Sequence, residues 1–191
     1  MFDPIVLKGA RVLKEKAHEV PKELFGTKKL KDMLARMSAS LHSTEHGVAI
    51  AANQIGLPYR MFVVRGFIMK GKGREGRNDE KAESYPDKEF INPKIVKRAK
   101  KKILVEEACL SVPGFLGVIK RAPKARVRAY DENGKRFERG GSELLAQIFQ
   151  HECDHLDGTL YIDKAEEVFK AKKEETEAYY EARERKNERE K

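Results

Sequence analysis

Residues 150–158 read Gln-His-Glu-Cys-Asp-His-Leu-Asp-Gly, and the His-Glu-x-x-His within them constrains this chain more than any other stretch. Two imidazoles four residues apart share one face of a helix, where both can reach one metal ion, and the carboxylate after the first lies beside them. Such a helix must turn its histidines inward. At about 100° per residue, His151 falls in line with Leu144, Ile148 and His155, and Glu152 lies one step around. Cys153 points to the far side, and Asp154 is off the face as a cap or a support for a ligand. Ser142 is the expected N-cap, and Gly158 is placed to end the helix. The pattern points to a hydrolase. A single catalytic metal takes a third protein ligand, however, and this segment does not plainly contain one.

The chain has 191 residues, enough for one domain with an appendage and a substantial core. Charged residues make up 37% and the mean hydropathy is −0.68, so part of the charge is expected in a solvated extension. No stretch approaches ~18 consecutive apolar residues, which predicts no membrane span. The first eight residues lack the order of a signal peptide, so a cytoplasmic location is the expectation. With two cysteines, Cys109 and Cys153, a disulfide framework is not expected, and either thiol is free to act as a ligand. The net charge of +9 is uneven: residues 94–128 hold 11 Lys/Arg against Glu106 and Glu107, while the rest of the chain balances 29 against 29. Such a band suits a phosphate backbone or an acidic partner, or serves only as a solubilising surface.

In chain order, residues 1–26 read as an irregular lead-in. Thr27 is the expected N-cap of a helix with Leu30, Met33, Leu34, Met37 and Leu41 on one stripe, ending near 43–47. His42 and His46, four apart, could form a second metal pair, but no acid or cysteine joins them. Residues 47–56 are a run of small side chains ending in Asn53 and Gln54, read either as a substrate-binding edge or as a tightly packed strand and turn. Residues 59–67, 90–97, 101–107, 121–130 and 135–139 read as strands, with a hairpin turn at Asp131-Glu132-Asn133-Gly134. Residues 70–88 are expected to form an exposed, mobile loop. Residues 164–191 contain no Gly or Pro, with nine basic and nine acidic side chains, and read as one long charged helix. The expected fold is α+β: mixed or antiparallel sheets packed around a central metal-bearing helix, plus a C-terminal helix. Residues 1–163 would be catalytic, and 164–191 an extension.

The third ligand is best sought in Glu106-Glu107-Ala108-Cys109-Leu110-Ser111. A Cys/His/His set leaves one tetrahedral position open for water, whose pKa a metal lowers towards ~7. Glu152 could take that water's proton and pass it to a leaving nitrogen. The Gln54 amide and a backbone N–H next to Cys109 would serve a developing oxyanion.

Residues 47–54 (Gly-Val-Ala-Ile-Ala-Ala-Asn-Gln), 107–111 (Glu-Ala-Cys-Leu-Ser) and 150–156 resemble, in order and spacing, the three signature motifs of peptide deformylases. The lead-in around Arg11-Val12-Leu13 is similar too. The resemblance implies hydrolysis of the formyl group from the N-terminal formylmethionine of nascent chains. It implies Cys109, His151 and His155 as ligands of one divalent ion, Fe(II) as the usual metal, with Zn or Ni able to substitute. Glu152 would be the general acid/base, and Gln54 and the Leu110 N–H the oxyanion donors. Gly47, Val48 and Ala49 would bind substrate as an added strand, with Val48, Leu144 and Ile148 candidates for the methionine pocket. Ala49 and Ala108 stand where the family usually has glycine, and the 70–88 loop resembles an insertion.

The implied partners are N-formylmethionyl nascent peptides and, transiently, the ribosome, through the 94–128 band or the C-terminal helix. A monomer without membrane attachment is expected. The competing readings are an amidase acting on another N-formylated or acylated amine, and a ribosome- or RNA-associated protein with a structural metal.

Overall fold

The computed structural model describes residues 2–171. Thr27 opens α1 (Lys28–His42): its hydroxyl accepts from the Leu30 N–H at 3.3 Å, and Leu30, Met33, Leu34, Met37 and Leu41 are buried along one stripe. Eight strands follow the sequence order β1 (Ala49–Ala51), β2 (Met61–Val64), β3 (Lys88–Arg98), β4 (Ile103–Cys109), β5 (Val112–Arg121), β6 (Lys124–Tyr130), β7 (Arg136–Ser142) and β8 (Glu167–Lys170). They form a five-stranded sheet ordered β1-β2-β3-β6-β7 and a three-stranded sheet ordered β4-β5-β8, with every pairing antiparallel. The expected α+β architecture is what the chain adopts.

The helix bearing the two histidines, α3 (Glu143–Leu156), lies across one face of the larger sheet. Ile148, Phe149, Cys153 and Leu156 pack there on Phe62, Val64, Phe90, Val127 and Ala129. Phe90 stacks on Phe62 with ring centroids 4.6 Å apart and meets Phe149 edge-on at 5.3 Å. Each such side chain contributes about 1.5–3 kcal/mol on burial. Because α1 covers part of the opposite face, meeting Ile50, Met61, Val63 and Ile91, β2 is buried on both sides and reads as an unbroken apolar run. In β6, by contrast, Ala125, Val127 and Ala129 are buried while Lys124, Arg126 and Arg128 are exposed, the alternation of a strand with one wet face.

Three expectations need correction, and one strand has no counterpart among them. The strand expected over 59–67 stops at Val64 and turns into the short helix α2 (Gly66–Met69). A side chain at Gly66 would lie 2.1 Å from the Tyr85 carbonyl oxygen, and the Gly66 N–H donates to Asp87 at 3.2 Å, so the backbone is pulled into a turn. Residues 70–88 are not simply an exposed loop: they hold one-turn helices at Glu75–Asn78 and Ala82–Ser84, and Ala82 is buried. Glu83 and Asp87 bracket the His42 ring at 2.9 Å each, and Glu83 also accepts from Arg65. β5 is not expected from local pattern, since Pro113, Gly114 and Gly117 look like breakers. Its pairing with β4 holds it extended, and a side chain at Gly117 would meet the Tyr161 ring at 2.7 Å. Finally, residues 167–170 are strand rather than helix: β8 covers the open edge of β5. The remainder of the expected C-terminal helix, 172–191, lies outside the described residues.

The lead-in is irregular, as expected, yet it ties distant segments together. The Val6 N–H donates to the Gln54 carbonyl (2.8 Å), Lys8 to that of Ser111 (2.7 Å) and Ala17 to that of Leu156 (2.9 Å).

Candidate metal centre

Three segments far apart in the chain meet at the inner face of α3. Cys109 Sγ and one nitrogen each of His151 and His155 lie within 4.8 Å of one another, the one such cluster among the described residues. Cys109 Sγ is 3.2 Å from His155 Nε2. The His42/His46 pair is not brought together: His42 sits between Glu83 and Asp87, while His46 Nδ1 accepts from Arg77 at 2.7 Å.

Each donor is held by its surroundings. His151 Nδ1 bonds the buried Glu107 carboxylate at 2.8 Å, which leaves Nε2 to face the cluster. Glu107 in turn accepts two hydrogen bonds from Arg121, at 2.7 and 2.8 Å, and Arg121 also donates to Asp154 at 2.6 Å. Asp154 therefore supports His151 through Arg121 and Glu107 instead of capping the helix. The Tyr161 ring stacks on His151 with centroids 6.1 Å apart while its hydroxyl donates to the Phe115 carbonyl. Asn53 donates to the His155 carbonyl at 2.7 Å. Gln147 donates to the Glu106 carbonyl, and Gln150 pairs with the Ala122 backbone as a strand would, accepting at 3.0 Å and donating at 2.9 Å. These amides lock α3 against the segments that carry Gln54, Cys109 and Arg121.

The donor chemistry fits a divalent ion. Burial by itself raises the Cys109 thiol, but the charges and hydrogen bonds of His155 and His151 bring it down to about 5, so at neutral pH it is a thiolate, the form able to bind a metal. Cys153 is the opposite case: burial pushes its thiol up to about 12, and it packs in the apolar core on the far side of α3. Burial also opposes the Glu107 charge, and the Arg121 and His151 hydrogen bonds hold its carboxyl at about 2. Glu152 is buried with Oε2 unpartnered, and desolvation lifts it to about 7. His155 Nδ1 is likewise buried without a partner. A face of one thiolate and two imidazoles, backed by a carboxylate, suits a borderline transition-metal ion with a position left open.

Beside the cluster is a cavity of about 220 Å³. Gly47, Val48, Ala49, Gln54, Cys109, Leu110, Leu144, Ile148, His151 and Glu152 all line it; His155 lies just behind. The Gln54 carboxamide is fixed at both ends: its oxygen accepts from the Ala51 N–H at 2.9 Å, and its nitrogen donates to Ser111 Oγ at 3.1 Å and lies 3.5 Å from Cys109 Sγ. Leu110 occupies the two-residue turn joining β4 to β5. Ser142, by contrast, is the last residue of β7 and makes no capping bond with its side chain, while the first helical N–H, that of Glu143, donates to the Pro123 carbonyl. Ala49 and Ala108 are accommodated without backbone strain, as Asn92 and Glu143 are the only described non-glycine residues with positive φ. Sequence reasoning missed Arg74, His46 and residues 113–116 of the cavity wall. It also missed the supporting partners Arg121, Gln150 and Tyr161, for which the sequence holds no spacing signal.

Comparison with known proteins places these features in a family. The profile described as "Polypeptide deformylase" matches residues 2–171. "Peptide deformylase 1A, chloroplastic/mitochondrial" of Arabidopsis thaliana is 38% identical over 163 residues, 84% of this chain and 60% of that protein. Against it and a similar tomato protein (58%), the chain spans about three-fifths of the relative's length. "Peptide deformylase" of Heliobacterium modesticaldum is 37% identical over 163 residues, 85% of this chain and 93% of its own. Among solved structures, the Thermotoga maritima peptide deformylase superposes with a TM-score of 0.72 at 28% identity, covering 87% of this chain and 99% of that one. A Met-Ala-Ser-bound class I type b enzyme of Acinetobacter baumannii gives 0.73 at 28%, covering 86% and 99%.

Proposed function

This chain belongs to the polypeptide deformylase family, and on that premise we propose that it hydrolyses the formyl group from the N-terminal formylmethionine of newly made polypeptides, releasing formate and a free amine. The observation that carries the reading is the convergence of Cys109, His151 and His155 beside a buried glutamate, at the wall of a cavity lined by all three motif segments.

The family's metal dependence and the donor set together support one divalent ion on Cys109, His151 and His155; Fe(II) is the proposed native ion, with Zn or Ni as substitutes. When bound, the ion supplies Lewis acidity to water and to the substrate carbonyl. Glu152 accepts a proton from the attacking water and delivers it to the amine as the C–N bond breaks, a shuttle suited to a carboxyl near 7. Gln54 and the Leu110 N–H donate to the oxygen on which charge develops. The backbone of Gly47–Ala49 pairs with the peptide as an added strand, and Val48, Leu144 and Ile148 receive the methionine side chain. Glu107 keeps the His151 ring in the orientation and tautomer that ligation needs. A structural-metal reading is disfavoured, since such sites use four protein ligands and three converge here. Negative φ at Ala49 and Ala108 means that neither strains the backbone; both methyls line the cavity, so turnover of formyl-Met peptides against other formylated amines separates this reading from an amidase of different specificity.

Residues 1–163 are proposed as the catalytic unit and 164–191 as an extension that begins by adding β8 to the smaller sheet. We further propose cytoplasmic action by a monomer in transient contact with the ribosome. Truncation after Ala171 keeps β8, and ribosome co-sedimentation unchanged by it would eliminate the C-terminal segment as a docking element. Formate release from a formyl-Met-Ala-Ser peptide by anaerobically prepared, metal-loaded protein tests the activity. Release at the uncatalysed rate would refute it.

A further inference from the structure

The outer face of the five-stranded sheet carries a charge pattern that neither packing nor the metal centre explains. α1 covers this face over β1, β2 and the start of β3. Beyond it, Lys124, Arg126 and Arg128 of β6 point outward and are exposed. The β3 register sets Lys94 directly opposite Arg128 and Lys97 directly opposite Arg126. Like charges facing each other across a ladder destabilise a sheet. Glu138 on β7 partly answers them, accepting from Arg128 at 3.0 Å and lying 3.6 Å from Arg126. Lys94 and Lys97 have no ion pair among the described residues, and the connection from β3 to β4 adds three further lysines.

Two ordinary explanations fall short of the whole pattern. Lysines on an edge strand repel stray sheets, which suits Lys94 and Lys97, since β2 pairs with β3 only as far as Ile91, but not Arg126 and Arg128, because β6 lies between β3 and β7. A solubilising surface intersperses the two signs rather than stacking one against itself. The repulsion is tolerable if a polyanion supplies the missing counter-charge.

We propose that the exposed face of β3, β6 and β7 docks the phosphate backbone of RNA. Outward residues of β6 stand roughly 7 Å apart, a regular ladder of cations matched to a repeating anion. Tyr130, the aromatic at the end of this strand, is occupied against Phe25. The face therefore offers charge to phosphates without a platform for bases, and binds without sequence preference. An anionic membrane fits less well, because interfacial binding also inserts apolar side chains and the outward residues of this strand are cationic. α3 packs on the opposite side of the sheet, so RNA held here leaves the cavity open to a peptide. This deepens the ribosome contact proposed above and depends on that reading only for which RNA is met in the cell.

The test uses full-length, metal-loaded protein and a fluorescent RNA hairpin of mixed sequence, followed by anisotropy across a potassium chloride series. For the wild type, log K should fall linearly with log salt. In Lys94→Gln/Lys97→Gln/Arg126→Gln, affinity at low salt should drop at least about tenfold and the slope should shrink by about 2, at roughly 0.7–0.9 for each phosphate no longer neutralised. The melting midpoint without RNA should hold or rise as the repulsion is relieved. The control Lys14→Gln/Lys16→Gln/Lys22→Gln removes the same charge from exposed sites in the lead-in and should stay within about threefold. Equal loss in both variants, no loss in the first, or a clear drop in its melting midpoint would overturn the proposal. So would face-dependent binding to phosphatidylserine vesicles in place of RNA. Formate release from free peptide is measured separately, so the catalytic reading and the docking reading can fail independently.

Discussion

At the scale of the residue, the site depends on how burial and neighbouring charge set each group apart. Glu152 and Glu107 are both buried carboxyls near His151, yet one rises to about 7 and the other falls to about 2, because Glu107 has the Arg121 fork and Glu152 does not. Glu152→Gln should lower kcat by about 10²–10⁴, the usual worth of a positioned proton carrier. Metal content should stay at one ion per chain, since Glu152 is not among the converging donors; metal analysis beside the formate assay checks both. Arg121→Met should be more damaging to the fold than to the chemistry alone. It strands the Glu107 charge, at a cost of about 3–5 kcal/mol, and loosens the support of His151, weakening metal binding by about 10–100-fold. Urea midpoints and competition with a chelator measure the two effects, and an unchanged metal affinity would remove Arg121 from the site's support.

Among the elements, α3 is the one that everything else holds in place. Its histidine face, its stop and the α1 stripe were legible because each obeys a local period or a local dihedral requirement. Gly158 shows the second kind: it sits at φ +76°, and a side chain there would lie 2.5 Å from the Lys14 carbonyl oxygen. Gly158→Ala should therefore cost about 1–3 kcal/mol, read as a lower urea midpoint with metal loaded. Thr27→Ala, which removes the α1 cap and the hydroxyl's bond to the Leu24 carbonyl, should cost about 1–2 kcal/mol by the same measurement. The misread elements failed for a common reason. β5 carries Pro and Gly that local rules score as breaks, and 167–170 carries charges that local rules score as helix, but both are extended because a neighbouring strand takes up their backbone groups. Ser142 makes no capping bond either, being held as the last residue of β7 opposite Lys124.

For the molecule as a whole, the metal should bind folded and unfolded chains differently, because Cys109 and His151 meet only when β4 lies against α3. Removing the ion with a chelator should lower the melting temperature, the lost stabilisation being about 2.7 kcal/mol when free metal had stood at a hundred times Kd. In Cys109→Ser the chelator-induced shift should shrink or vanish; a full shift would mean that the ion sits elsewhere. The sequence alone determined the inward histidine face, the candidate ligands, the excluded Cys153 and the basic band, since these rest on residue type and on periods of a few residues along one chain. It could not determine that Arg121 stands behind Glu107, that Gln150 pins α3 to Ala122, that the lead-in ties Gln54 to Ser111, or that the basic residues of β3 and β6 stack opposite one another. Those relations join residues far apart in sequence, and only strand register and the docking of α3 decide which of them come within a hydrogen bond of one another.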